Sequence, residues 1–118
     1  MIILEFVWRR LFAMRRINAV QLCADGRILS VWLDSTVESI RDCLGGPVDT
    51  IKLFTDCLTF VRRDTRNELP ENKQIPGVYG DVLVTGGHGS YIIGLPYVKK
   101  ENIIKMFKSK IGVQHGKT

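Results

Sequence analysis

The sequence predicts a single α+β domain: a mostly antiparallel sheet with two packed helices of about ten residues each, an ordinary globular length. An N-terminal amphipathic helix is expected as an additional element. Three observations predict this class. Asp25-Gly26 stands between two runs with strand-like alternation, a strong hairpin signal. The stretch from Asp34 to Pro47 reads as a capped helix stopped by Gly45-Gly46 and barred from continuing by Pro47. Short β-branched and apolar runs then recur, separated by turn residues.

In chain order, residues 1–16 come first as an extension. Leu4, Val7, Trp8, Leu11 and Phe12 fall at i, i+3, i+4, i+7 and i+8, the spacing of one helical stripe. Such a stripe packs on the sheet, pairs with a second copy, or lies on a membrane surface, and a homo-oligomer with this stripe as its interface is expected. Arg9-Arg10 interrupts the apolar run, so it reads as neither a secretory signal nor a membrane span. The domain pattern begins at Ile17, which leaves Met14 open as a start.

The domain is expected over residues 17–111. Residues 17–23 and 28–33 form the hairpin strands. Asp34, Ser35 or Thr36 caps the first helix, with Ser35 and Glu38 at capping-box spacing, and Val37, Ile40 and Leu44 make its apolar stripe. Strands follow at 48–54 and 58–61, then a polar loop at 62–77. Residues 81–85 are a buried strand, GGHGS (86–90) a glycine-rich turn and 91–95 a short strand. Pro96 opens a final helix with Ile103, Ile104, Phe107 and Ile111 on its apolar face. Gly112 ends it, leaving 112–118 as a frayed tail.

Composition limits the functional classes. The chain has 118 residues, 45% hydrophobic and 25% charged, which suits one globular domain. Its net charge of +5 lies mostly at the ends, with four Arg in residues 1–16 and six Lys in residues 99–118. Basic ends suit nucleic acid or anionic surfaces, and equally a solvated helix and tail. Cys23, Cys43 and Cys57 are odd in number, widely spaced and set among apolar neighbours, so they read as structural thiols in a reducing cytoplasm. No metal-ligand spacing, nucleophile motif or cofactor loop is present, and neither catalysis nor a cofactor is expected.

Two polar stretches are candidate binding elements. Arg62, Arg63, Arg66, Asn72 and Lys73 concentrate guanidinium and amide donors suited to phosphate, although Asp64, Glu68 and Glu71 offset their charge. Gly86, Gly87, His88 and Ser90 offer bare backbone N–H groups to an anion, and glycines between strands also serve tight reversal. Tyr91, or Tyr79, is placed to stack on a base or to sit in the sheet. Oligomer formation would set the arginine loop of one subunit against the glycine turn of another.

From Ile17 onward the chain resembles a family of small proteins, domain-of-unknown-function family thirty-eight forty-six. The carrying residues are SVWLDSTVESIRDCLGGPVDTIKL, LPENKQI, GDVLVTGG and KKENIIKMF. Leu69, Pro70 and Asn72 match the family's loop, and Gly80-Asp81 its strand start. Where that family carries Asn-Glu-Glu-Gly before the loop, this chain has Arg-Asp-Thr-Arg-Asn. The resemblance covers about residues 17–110 and implies a phage or mobile-element origin. It implies a non-catalytic, cytoplasmic accessory protein that counters host defence by sequestering a small anionic nucleotide. The alternatives are a protein-interaction inhibitor of a host defence complex, resembling anti-CRISPR proteins, acting through its N-terminal stripe or an open sheet edge, and a weak nucleic-acid binder.

Overall fold

The computed structural model describes residues 16–63, 68–89 and 91–116, with side chains through residue 108. The N-terminal stripe, Leu4, Val7, Trp8, Leu11 and Phe12, lies outside the described residues, as do Arg66 and Ser90.

Strands β1 (Arg16–Leu22) and β2 (Ile28–Asp34) form the hairpin that Asp25-Gly26 predicts. Gly26 sits at φ +100°. Its N–H closes onto the Cys23 carbonyl at 3.0 Å, and the Cys23 N–H reaches the Arg27 carbonyl at 2.9 Å. This is the bulged reversal that a left-handed glycine permits.

Helix α1 (Val37–Leu44) follows. The Ser35–Glu38 capping box is not what starts it: the Thr36 hydroxyl accepts the Ser39 N–H at 3.1 Å, while Ser35 Oγ donates to the Ile92 carbonyl. Ser35 thereby ties the helix start to a distant strand and is not free to cap. Ile40 and Leu44 are buried, but Val37, in the first turn, is exposed. Gly45, at φ +92°, ends the helix, and the N–H groups of Gly45 and Gly46 both bond the Arg41 carbonyl.

Beyond it lie β3 (Val48–Ile51), β4 (Cys57–Arg62), β5 (Val82–His88), β6 (Tyr91–Ile93) and helix α2 (Tyr97–Gly116). The described residues form one compact α+β domain whose strand pairs are all antiparallel, in the order β2-β1-β5-β4-β3, with β6 also paired to β5. Several boundaries differ from expectation. β3 stops at Ile51 because Phe54 leaves the ladder to pack edge-to-face on Phe107 of α2, centroids 6.1 Å apart. Arg62 belongs to β4, not to a loop. Gly86, Gly87 and His88 belong to β5, not to a turn. α2 runs through Gly112 to Gly116, longer than the helix expected.

The sheet buries both faces. Ala19, Leu33, Leu58, Phe60 and Leu83 pack with Ile40 and Leu44 of α1. Val20, Leu22, Val82 and Val84 pack with Ile103 and Phe107 of α2. Neighbouring residues of β1 and β5 divide between the two cores, as the two-residue strand period requires. No helix among the described residues is long and apolar enough to cross a membrane.

Candidate binding site

The arginine–glycine pocket is expected between two subunits, and within one chain its described members stand apart. Arg62 lies across the Gly45-Gly46 corner, donating from its guanidinium to the Leu44 carbonyl at 3.2 Å. A Cβ at Gly46 would stand 2.7 Å from that guanidinium, so the bare glycine gives the arginine its bed. Arg63 pairs with Asp49 at 2.8 Å and donates to the Val48 carbonyl at 3.2 Å. Arg62 therefore ties the end of β4 to the end of α1, and Arg63 ties it to the start of β3.

Asn72, 2% exposed, is spent on backbone. Its amide donates to the carbonyls of Leu22 and Gly80, both at 3.0 Å, and its oxygen accepts the N–H groups of Gln74 and Ile75. It is the clip that holds the 68–81 segment against the hairpin. Lys73 bonds the Ala24 carbonyl through its own N–H and is exposed.

Gly86 and Gly87 are buried in the β5–β6 ladder. A Cβ on Gly87 would meet the Tyr91 carbonyl oxygen at 1.9 Å, and one on Gly86 the Gly94 oxygen at 2.5 Å. Close approach of the returning chain is what requires these glycines. Arg62 lies one residue beyond the Val61–Val82 pair and Gly86 opposes Cys57, so they occupy opposite ends of the β4–β5 ladder, about 16 Å apart at strand rise. His88 and Tyr91 are exposed beside each other at the turn, ring centroids 6.5 Å apart.

A different surface stands out once the strand order is known. An open groove runs between the β2 edge and α1, lined by Arg16, residues 31–34 of β2, and Ser39, Asp42 and Cys43. Trp32 is 59% exposed beside it. Cys43 Sγ donates to Gln21 Oε1 at 3.5 Å, and Gln21 Nε2 donates to Asp81, whose other oxygen accepts the Ala24 N–H. Burial, and next the Asp81 charge, push the Cys43 thiol above its ordinary range, which favours its neutral form in the groove wall.

The backbone of β2 completes the site. In an antiparallel pair, residues alternate between bonding one neighbour and facing the other. The Cys23–Arg27 bond sets that phase, so the odd-numbered residues of β1 and β2 bond each other. The even-numbered residues of β1 turn the other way, as the bond from the Leu95 N–H to the Asn18 carbonyl confirms. In β2, Ile28, Ser30, Trp32 and Asp34 therefore aim their N–H and C=O groups outward. Asp34 is closed by the α1 cap, its N–H on Ser39 Oγ and its carbonyl accepting from Thr36. Residues 28–32 present an open edge, with no strand beyond it among the described residues.

The sequence contains this strand but not its place at the border, because apolar residues on both of its faces read as interior. Comparison of the chain with protein-family models, curated proteins and solved structures finds no match. The family resemblance thus rests on the quoted motifs alone.

Proposed function

We propose that this chain is a non-catalytic binding protein that takes up an extended polypeptide strand along the edge of β2. The reading rests on one observation: residues 28–32 offer outward backbone groups beside an exposed Trp32 and a groove walled by α1. A strand added there gains main-chain hydrogen bonds from the edge and side-chain selectivity from the groove. Among the functions expected from the sequence, this corresponds to inhibition of a host defence complex by protein contact. The test is binding of extended peptides to the full chain and to Ser30→Pro. The Ser30 N–H points outward, so proline there blocks an added strand without removing a bond to β1. Binding by the wild type and its loss in a variant with an unchanged circular-dichroism spectrum are the expected results. Equal binding by both would refute the edge as the site.

A second reading keeps nucleotide sequestration and moves it to the β5–β6 turn. The exposed His88–Tyr91 ring pair supports it, since such a pair can stack a base. Mass spectrometry of nucleotides released from the purified protein tests this reading. A bound species retained by Tyr91→Ala would count against that turn.

A further inference from the structure

We infer that the strand taken up by the β2 edge is β2 of a second copy of this chain, paired antiparallel about a twofold axis at Ser30. The inference rests on the edge-docking reading above: the second copy is the edge's resident strand, which any added peptide must displace.

The register follows from which groups remain open. The Asp34 N–H and carbonyl are already bonded to Ser39 and Thr36. The open stretch is Ile28, Ser30 and Trp32, and its centre is Ser30. Antiparallel pairing about that centre sets Ile28 against Trp32 of the second copy and Ser30 against its own counterpart. Every outward N–H and C=O from Ile28 to Trp32 then has a partner, whereas a shift to Val31 as centre would aim Ile28 at the capped Asp34.

Side chains agree with this register. Trp32, 59% exposed, would cover Ile28 of the other copy, an aromatic–β-branched pair of the kind that stabilises sheets. On the α1 face, Leu29, 36% exposed, would lie against Val31, which borders the groove.

The two sheet borders differ in the expected way. β3 is four residues long, preceded by Pro47, followed by Lys52, and carries the Asp49–Arg63 ion pair. Those features discourage edge-to-edge pairing. β2 is seven residues long and has neither Pro nor Lys.

The test is sedimentation of the full chain, a 13.4 kDa protein, with Ser30→Cys as a geometric probe. Opposed residues of a hydrogen-bonded antiparallel pair have Cα atoms about 5.5 Å apart, within disulfide reach. The wild type is expected at twice the monomer mass, and Ser30→Pro and Trp32→Lys at the monomer mass. Ser30→Cys should oxidise to a disulfide dimer, while Thr50→Cys on the β3 edge should not. A monomeric wild type overturns the inference, and peptide binding retained by that monomer leaves the edge-docking reading standing. A dimer that survives both Ser30→Pro and Trp32→Lys and gives no Ser30→Cys cross-link also overturns it, placing the contact elsewhere. A wild type that neither dimerises nor binds peptide removes both.

Discussion

Asn72 shows how a residue that reads as a ligand donor can be wholly consumed by the fold. Its side chain bonds carbonyls at Leu22 and Gly80 and two N–H groups in its own turn, all buried. Truncation would leave several of these groups without a partner, each costing about 1–3 kcal/mol. Urea unfolding of Asn72→Ala should therefore show a loss of about 3 kcal/mol, with exposed Lys73→Ala within about 0.5 kcal/mol of wild type. A near-neutral Asn72→Ala would return this residue to the list of surface donors. The cysteines make a second residue-scale case. Burial is the first cause raising the thiol pKa of Cys23, Cys43 and Cys57 above 9.0. A group whose folded pKa is raised contributes stability that is present below its unfolded pKa and lost as pH rises through the folded one. Unfolding free energy should thus fall as pH climbs past about 9, and replacing Cys43 by Ala should flatten part of that fall. An unchanged slope would show that its thiol titrates alike in both states.

At the scale of elements, local signals were legible and contacts between distant segments were not. Asp25-Gly26 and Gly45-Gly46-Pro47 declare their turns within a few residues, and the structure places them as read. The GGH run misled because glycine serves reversal and close packing equally well. Its reason here is the Tyr91 and Gly94 carbonyls, which only the β5–β6 ladder brings near. Arg62 and Arg63 read as free cations because their carbonyl and carboxylate partners, at Leu44 and Asp49, are set by the β3–β4 pairing. The N-cap was legible as a choice among neighbours, and the bond from Ser35 to Ile92 decided it. Thr36→Ala should destabilise the protein by about 1 kcal/mol, read as a lower urea midpoint. Glu38→Ala should change it little, because Glu38 takes no part in the cap. The reverse ranking would restore the Ser35–Glu38 box.

For the whole molecule, strand order is what turns a list of elements into a surface with a use. All six strands of the described residues could be placed roughly from the sequence, yet nothing local says that β2 lies at the border and β5 at the centre. That placement gives the account its central claim, that residues 28–32 are an edge on which two copies of the chain pair. Amide hydrogen exchange tests it most directly, comparing the full-length wild type at high concentration with Trp32→Lys. The account predicts slow exchange at Ile28 and Ser30 in the wild type, fast exchange at both in the variant, and no difference at Thr50 on the β3 edge. Equally fast exchange at Ile28 and Ser30 in the two proteins would contradict it.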